Sequence, residues 1–400
     1  MAELAQPLER DSGRLAASTD RLRDAAGAFG DVGVFLPLAL ALVAVNGLNP
    51  TIVFGLAGLY YIASGWLYRI PMPVQPFKAV SAIAIAQGLS PGTIQGAALG
   101  MSAGLLLLSL GPLPRLLDRL FSAAVVRGIQ LGLGIILATS ALQLAARDPR
   151  LAGGPWLPQV ALLVGVVAVA VLQLQARIPA LLVVGALGLA WGIATAPSGG
   201  PAPALGPVLG LPGLPTMPEL ATAIVVLVLP QLPLTLGNSI VSTADVAGEY
   251  FGERAGRVTH RRLLRDMGVA NAIAGIAGGI PMCHGAGGMT AHVRFGARTW
   301  FSMVIAGAFY LGLGLGLGAA APVFLAVFPV SVLGVLVGYV GWQHMLLVRR
   351  LKRRSEYAIA GLVGLVTLLT GSLALGFGFG LAADWASRPL RGRTGSPSEA

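Results

Sequence analysis

Two interruptions in an otherwise apolar chain constrain its fold more than any other feature. Residues 70–78 read IPMPVQPFK and residues 280–288 read IPMCHGAGG, and each stretch follows an apolar segment of helical length. The prolines of the first stretch lack an N–H and force the residues before them to be extended, while the glycines of the second loosen the backbone in another way. Broken apolar segments at matching places in two halves of a chain are typical of a transporter binding site.

The composition places the chain in a membrane. It is 55% hydrophobic and 11% charged, with a mean hydropathy of +0.79, and so few charges cannot cover a soluble domain of 400 residues. The 56 glycines suit membrane helices, where small residues let backbones approach closely. A disordered glycine-rich chain is excluded because the remaining residues are aliphatic rather than polar.

Charge and cysteine content narrow the function further. The net charge of +11 does not indicate nucleic-acid binding, because the arginines cluster beside the predicted membrane helices, as the positive-inside rule expects. The single cysteine, Cys283, excludes an internal disulfide. The first 25 residues are polar and mixed in charge, so they do not resemble a cleaved signal peptide.

The hydropathy pattern predicts an all-α polytopic membrane protein with 14 membrane elements in two halves, residues 26–195 and 219–386. An uncharged linker rich in proline and glycine (196–218) joins the halves, and cytoplasmic segments (1–25 and 387–400) flank them. The first seven elements are predicted at 27–46, 50–68, a broken element ending in a helix at 77–87, 91–110, 121–145, 158–175 and 178–194. The second seven are predicted at 219–244, 263–279, a broken element with a helix at 285–298, 300–317, 323–348, 357–370 and 372–385.

The arginine distribution favours this count, because it puts nearly every basic cluster on one face when both termini are cytoplasmic. Seven elements per half is an odd number, so the second half is predicted to be inverted relative to the first. Elements 3 and 10 would then enter as half-helices from opposite sides and meet near the midplane, N-terminus facing N-terminus. Their extended stretches can satisfy each other as a short antiparallel pair, since bare backbone is not tolerated in lipid.

Two helix N-termini facing one cavity favour an anion, because each carries unpaired N–H groups and about half a positive charge. Lys78, one of only two lysines, lies in the first turn of the first half-helix. A cation is disfavoured at that end of a helix, and a doubly negative ligand would account for it. The alternatives are an ion pair with a carboxylate such as Asp31, or a side chain that reaches water.

Three amide side chains lie at or near the breakpoints. Gln75 is either a ligand donor or a partner of the local backbone. Gln231, between two prolines in the eighth element, is a functional candidate because a polar residue in mid-membrane is costly. Asn238, two turns further on, is a second candidate whose alternative role is to join helices.

Asp31 is the only carboxylate predicted within a crossing rather than at its end, and it is the candidate for proton coupling. Burial would raise the pKa of such a carboxyl and a neighbouring lysine would lower it, so a permanent Asp31–Lys78 ion pair is the alternative.

Cys283 and His284 precede the second half-helix. Adjacent Cys and His make a poor metal site, which needs three or four spaced ligands, so neither a metal nor another cofactor is predicted. We expect instead that His284, or the amides of Gly285, Ala286, Gly287 and Gly288, contact the anion. The chain contains no phosphate-binding loop and no nucleophile–base–acid set, so no enzyme is predicted.

Five segments carry a resemblance to a known family: FGDVGVFLPL (29–38), PMPVQPFKAV (71–80), AVVRGIQLGLG (124–134), LPQLPLTLGNSIV (229–241) and PMCHGAGGMTAHVRFGAR (281–298). They are similar to the molybdate transporter family, the short branch of the sulfate permease superfamily that lacks the STAS domain. The resemblance covers both halves in order. It implies a seven-plus-seven inverted repeat, a core domain (elements 1–4 and 8–11), a gate domain (5–7 and 12–14), elevator-type transport and often a homodimer. It also places Gln75, Lys78, Gln231 and residues 284–288 at the anion.

The sequence therefore predicts a secondary transporter of a tetrahedral oxyanion in the cell membrane, with molybdate first among the substrates and protons as the candidate driving ion. The runner-up is a sulfate permease of the same fold, with tungstate as a further substrate. A gated anion channel and a non-transporting scaffold are more distant alternatives. A nucleobase permease is also less favoured, since those relatives use a glutamate where this chain has Gln231.

Overall fold

A computed structural model describes residues 21, 23–111, 122–154, 156–174, 180–196, 203–210 and 212–393. Most of the predicted N-terminal segment, the end of the C-terminal tail and part of the 196–218 linker lie outside the described residues.

The described chain is almost entirely helical. Residues 23–27 are helical and are followed by α1 (Val32–Asn46), α2 (Pro50–Tyr68), β1 (Gln75–Pro76), α3 (Lys78–Gln87), α4 (Pro91–Leu110), α5 (Ala123–Ala146), α6 (Leu157–Leu174) and α7 (Ala180–Ala194). The next helix, α8, runs continuously through the stretches Met217–Thr222, Ala223–Val228, Leu229–Leu234, Thr235–Val241 and Ser242–Phe251. After it come α9 (His260–Ala277), β2 (Met282–Cys283), α10 (Ala286–Arg294), α11 (Phe301–Leu317), α12 (Ala321–Val327), α13 (Val330–Leu346), α14 (Arg354–Thr370) and α15 (Leu373–Arg393).

Capping residues explain why two predicted helices have the observed bounds. Helix α2 begins at Pro50, and the Asn49 side chain accepts hydrogen bonds from the amides of Thr51 and Ile52 at 2.9 and 3.3 Å. Helix α4 begins at Pro91, with the Ser90 hydroxyl accepting from the Thr93 amide at 3.1 Å. Proline at the first helical position after an Asn or Ser cap is a strong start signal, and the predictions at 50–68 and 91–110 are confirmed.

Two predicted boundaries are wrong. The helix of the first element begins at Val32 rather than at residue 27, so Asp31 stands at the position before the helix, without a side-chain capping hydrogen bond, instead of lying within it. The predicted segment 323–348 is not one helix. Helix α12 ends at Val327, Phe328 is extended, and α13 starts after Pro329. The residue before a proline is pushed out of the helical region, which accounts for the break.

Within the described residues, five helices are long and apolar enough to cross a membrane. They are Pro50–Tyr68, Pro91–Leu110, Ala123–Ala146, the long run Met217–Arg257 and Val330–Arg350. A sixth span results if the pair Phe301–Leu317 and Ala321–Val327, bent by 95°, counts as one. The remaining apolar helices are shorter, so the total of 14 membrane elements stays a prediction.

Helices from opposite halves of the chain pack against each other. Helix α2 lies along α11 and α4 lies along α9, while α5 packs on α13 and α14. Close approach depends on glycine. A side chain at Gly58 would lie 2.6 Å from the Gly307 carbonyl oxygen, and one at Gly341 would lie 2.9 Å from the Gly134 carbonyl oxygen.

A buried aspartate joins two parts of the α5–α13 region. Asp148 follows α5, and its Oδ2 accepts hydrogen bonds from the Ser331 amide at 3.0 Å and the Ser331 hydroxyl at 2.5 Å. Asp148 thereby satisfies a donor at the start of α13.

The two extended segments meet as an antiparallel pair, and this prediction is confirmed. Gln75 lies opposite Cys283 and Pro76 opposite Met282, and the Phe77 amide donates to the Pro281 carbonyl at 2.9 Å. Interrupted backbone from each half of the chain is thus paired with interrupted backbone from the other.

Each extended segment is also tied to the helix that precedes it. The Ser64 hydroxyl of α2 donates to the Met72 carbonyl at 2.9 Å. The Asn271 amide of α9 donates to the Met282 carbonyl at 2.7 Å and accepts from the Met282 amide at 2.8 Å. Asn271 is fully buried, and its side chain bonds both backbone groups of Met282, as a neighbouring strand would.

Replacing Asn271 with alanine should destabilise the protein, because the change leaves the buried N–H and C=O of Met282 without these partners. Each such group costs about 1–3 kcal/mol when unsatisfied. We expect a fall of several degrees in the melting temperature of the detergent-purified protein, measured by scanning fluorimetry. Gln143→Ala, at an exposed position of α5, is the control. Equal melting temperatures for the two variants would contradict this role of Asn271.

Candidate functional site

The half-helix α3 has an N-terminus that the protein caps from a distance. The Oε1 atom of Gln231 accepts from the amides of Ala79 at 2.9 Å and Val80 at 3.4 Å, and its Nε2 donates to the Thr235 hydroxyl at 3.0 Å. Gln231 is 3% exposed, and its partners are all within the protein. Sequence analysis predicted direct ligand contact for Gln231. The structure gives its amide a capping role, and ligand contact stays a prediction.

Two π-helical turns, Ala223–Val228 and Thr235–Val241, flank the part of α8 that carries Gln231. They accompany Pro230 and Pro233, which cannot donate backbone hydrogen bonds. Such widened turns are frequent at functional sites. The distortion marks the segment that faces the start of α3.

The half-helix α10 has an open N-terminus. The residue before it is Gly285, which has no side chain that could cap the helix. The amides of Ala286, Gly287 and Gly288 belong to the first turn, where no intrahelical acceptor exists. Gly287 is exposed, and a Cβ atom at this residue would meet no atom within 4 Å. The first turn of α10 therefore has N–H groups that no side chain of the described residues accepts, and it is exposed at Gly287.

Gln75 and Asp31, predicted separately, lie in contact beside this turn. Gln75 Nε2 donates to both carboxylate oxygens of Asp31 at 2.7 Å, and the two residues are 2% and 1% exposed. The Oε1 atom of Gln75 is buried and has no hydrogen-bond donor among the described residues. A Cβ atom at Gly288 would lie 2.7 Å from Gln75 Nε2 and 2.8 Å from Asp31 Oδ2, so only glycine admits this approach.

Lys78 and Asn238 supply the remaining polar groups. Both are half-buried, and in the described part of the chain neither side chain has a hydrogen-bond or ion-pair partner. Asn238 Nδ2 lies 3.6 Å from the position that a Cβ atom of Gly285 would occupy, which places it at the open end of α10. The alternative of an Asp31–Lys78 ion pair is not found among the described residues.

His284 is positioned differently from these residues. Its Nδ1 lies 2.7 Å from the Pro73 carbonyl oxygen and its Nε2 lies 2.6 Å from Oδ2 of Asp266. The ring is fully buried, and both nitrogens are engaged within the protein. Cys283 lies in β2 as a buried free thiol. The backbone at 284 and 285 leads into the open helix end, but the predicted anion contact of the His284 ring stays a prediction.

Asp266 is the residue that sequence reasoning missed. It lies near the start of the predicted ninth crossing and directly follows the basic stretch HRRLLR (260–265), beside which an acid reads as part of a charged helix end. The available signal was that this acid lies one turn inside the predicted crossing, where a charged residue is a functional candidate by default.

The described residues contain no group of three or more His, Cys, Asp or Glu side chains that could hold a metal ion. Two cavities, of about 300 and 350 Å³, lie elsewhere: the first is lined by residues such as Leu144 and Arg147, the second by apolar side chains of α1, α2, α7 and α11. Among the described residues, the broken segments thus carry one ammonium group and one amide without a hydrogen-bond partner, together with a helix end that no side chain caps, and such groups favour an anion over a cation.

Comparison with known proteins gives a consistent result. A family model described as a molybdate transporter of the MFS superfamily matches residues 23–137 and 223–343. Molybdate transporter 2 of Arabidopsis thaliana is 29% identical over 89% of this chain and 85% of its own length. Molybdate transporter 1 of Chlamydomonas reinhardtii is 29% identical over 90% of each chain.

Solved structures share the fold. The transmembrane domain of a cyanobacterial bicarbonate transporter, BicA, superposes with a TM-score of 0.64 and 19% identity over 90% of this chain and 97% of that chain. The murine anion transporter Slc26a9 gives a TM-score of 0.65 and 15% identity over 98% of this chain and 74% of that chain. At these identities the likeness shows the fold alone, a mostly helical polytopic membrane fold.

A matched pair of glycine substitutions tests the geometry of α10. Gly288→Ala forces the Gln75–Asp31 pair apart, whereas Gly287→Ala enters open space and gains helix propensity of about 1 kcal/mol. We expect Gly288→Ala to lower the melting temperature by several degrees and Gly287→Ala to leave it unchanged or raise it. If the two variants unfold at the same temperature, the close approach of Gly288 to the Gln75–Asp31 pair is wrong.

Proposed function

This chain belongs to the molybdate transporter family, and on that premise we propose that it carries a tetrahedral dianion, molybdate, across a cell membrane. It is an integral membrane protein whose homologues are transporters, a class that is generally not enzymatic. The proposed seat of the anion is the open first turn of α10, with Lys78 and Asn238 as side-chain donors.

The observation that carries the proposal is the ammonium group of Lys78, which has no hydrogen-bond or ion-pair partner among the described residues, together with the end of α10 that no described side chain caps. A half-buried cation without a partner is costly, and a doubly negative ligand would offset that cost. Lys78 contributes one positive charge and the end of α10 about half of one. The end of α3 contributes less, because Gln231 already occupies its amides.

Proton coupling through Asp31 follows from the same charge balance. An ionised Asp31 beside the seat repels the dianion, so protonation of Asp31 would favour anion binding. The orphaned Oε1 of Gln75 supports this step. A protonated carboxyl and a carboxamide can exchange two hydrogen bonds, in which the acid O–H donates to Oε1 and the amide N–H to the second carboxyl oxygen.

The transport mechanism that we propose is an elevator-like movement of a core domain (elements 1–4 and 8–11) against a gate domain (5–7 and 12–14). Two packing contacts support the inverted repeat that this requires. In such a repeat α2 corresponds to α9 and α4 corresponds to α11. The symmetry that relates the halves therefore turns the contact between α2 and α11 into a contact between α9 and α4, and both contacts are present. A homodimer with cytoplasmic termini completes the proposal.

A sulfate permease of the same architecture is the second candidate, because sulfate has the charge and shape of molybdate. Uptake of radiolabelled molybdate into proteoliposomes, in competition with tungstate and sulfate, separates the two. We expect tungstate to compete in the same concentration range as molybdate, and sulfate only in excess. Equal competition by sulfate would favour the sulfate permease, and uptake driven by voltage alone would identify a channel.

The two lysines form a matched test of the seat. Lys78→Gln should raise the apparent KM for molybdate at least about tenfold, since an ion pair at 4 Å is worth about 4 kcal/mol at a surface-like effective dielectric constant of 20. Lys352→Gln, at an exposed position in a basic segment, should leave uptake unchanged. Equal kinetics for the two variants would rule out Lys78 as a ligand.

The proposed proton step has its own variant. Asp31→Asn can keep a hydrogen bond with Gln75 but cannot release a proton. We expect molybdate binding to persist and the dependence of uptake on a pH gradient to disappear. Binding is measured by titration calorimetry and uptake in proteoliposomes. Gradient dependence equal to that of the unmodified protein would eliminate Asp31 as the coupling residue.

A further inference from the structure

A second hydrogen-bonded acid, Asp266 with its partner His284, lies near the proposed anion seat, and both nitrogens of the His284 ring are engaged within the protein. The two contacts of the ring join three segments: the first extended segment through Pro73, β2 through His284 itself, and α9 through Asp266. The ring is fully buried, whereas the Asp266 side chain is 13% exposed. The pair therefore has one end at the interrupted backbone and one end with access to solvent.

Counting hydrogens shows that the pair holds one proton more than a neutral imidazole and an ionised carboxylate contain together. The Pro73 carbonyl can only accept, so Nδ1 of His284 carries a hydrogen. A distance of 2.6 Å between Nε2 and a carboxylate oxygen requires a second hydrogen between them, because two lone pairs at that separation repel. The pair is either imidazolium with carboxylate or imidazole with carboxylic acid, and the proton count is the same.

Two tyrosines of α2 complete the hydrogen bonding. The Tyr68 hydroxyl donates to Asp266 Oδ2 at 3.1 Å. The Tyr60 hydroxyl lies 3.3 Å from the same oxygen and 3.0 Å from His284 Nε2. Tyr60 is thus placed to donate to Asp266 while the proton is present, and to Nε2 once it has left.

Few other charged or titratable groups face the pair. The guanidinium group of Arg262, also on α9, lies 5.7 Å from the centre of the Tyr68 ring and donates to the Leu67 carbonyl at 3.3 Å. Cys283, the residue before His284, contributes a buried thiol that interacts with Tyr60. None of these groups is an acid that competes with Asp266 for the histidine.

We infer that His284 and Asp266 form an exchangeable proton-binding site that controls how the β2–α10 segment is held. When the proton leaves, the neutral ring has one N–H for two acceptors, Pro73 and Asp266, and has to release one of them. Release of Pro73 removes one of the contacts between the two extended segments, and release of Asp266 removes one of the contacts between the second segment and α9. The coupling of this event to anion movement rests on the proposed transport function, whereas the proton site itself does not.

The protonation of the pair can be observed without transport. The chain has only four histidines, so the full-length protein labelled with [¹⁵N]histidine gives four imidazole signals, and His284→Gln identifies the one at residue 284. We expect this signal to change from doubly protonated, or strongly hydrogen-bonded at both nitrogens, to a single neutral tautomer as the pH is raised from about 5 to about 9. A signal that is constant across this range would overturn the inference.

Asp266→Asn provides the functional test. An asparagine amide can donate to Nε2 of a neutral Nδ1–H imidazole, so both ring contacts persist without a proton to release. In proteoliposomes we expect exchange of radiolabelled molybdate at equal pH to continue, and the response to a pH gradient to fall. One pH unit drives about a tenfold accumulation for each coupled proton. Asp148→Asn, a buried aspartate outside the site, is the matched control and should retain the response.

The outcomes separate the two proposals. If the unmodified protein moves no molybdate while the His284 signal titrates, the proposed function fails and the proton site stands. If molybdate moves and Asp266→Asn keeps the full gradient response, the coupling role of the pair is overturned. If Asp148→Asn loses the response equally, the effect belongs to buried aspartates in general, and the assignment to Asp266 is also overturned.

Discussion

The structure depends on the short antiparallel contact between β1 and β2. Backbone that leaves a helix inside a membrane protein has no water to bond with, and each unsatisfied group costs several kcal/mol. Here each interrupted segment supplies partners for the other, and Ser64 and Asn271 satisfy neighbouring groups from the preceding helices. Helix α3 begins two residues after β1, and α10 begins three residues after β2, so the same pairing fixes where both helix ends lie.

The two helix ends are similar in origin but differ in what satisfies them. The Gln231 side chain of α8 accepts hydrogen bonds from two amides in the first turn of α3. The first turn of α10 receives no such bond from Gly285, which lacks a side chain, and it has open space at Gly287. Among the described residues, the first turn of α10 therefore offers more unpartnered N–H groups than the first turn of α3. In the proposed function, the lysine at the start of α3 would add its charge to a seat formed chiefly by α10, and a bound anion would offset the unfavourable position of a basic residue at a helix N-terminus.

Much of this arrangement could be predicted from local signals. The Asn49–Pro50 and Ser90–Pro91 starts fixed two helices, and the Ile-Pro-Met stretches located both breaks. What could not be predicted depends on contacts between distant residues. Gln231 reaches an amide 152 positions away, and Asp266 reaches His284 only because α9 returns beside β2. The break at Pro329 had a local signal that the apolar pattern around it concealed.

The two acids at the break are linked by the way in which they satisfy buried polar atoms. With Asp31 ionised, Gln75 Nε2 has two acceptors and Gln75 Oε1 has no donor. With the His284–Asp266 pair deprotonated, the ring has one N–H for two acceptors, and the Tyr60 and Tyr68 hydroxyls are the other donors at hand. The missing donor at Gln75 Oε1 costs about 1–3 kcal/mol, whereas the second pair exchanges one hydrogen-bond partner for another. Gln75 and Cys283 are paired across the strands, and His284 follows Cys283, so both changes fall on the same strand pair. Under the proposed function, a dianion in the seat would repel an ionised Asp31 and favour its protonation, which would remove that cost. Anion occupancy and the hydrogen bonding of the strand pair would then be coupled through backbone that the two halves of the chain share.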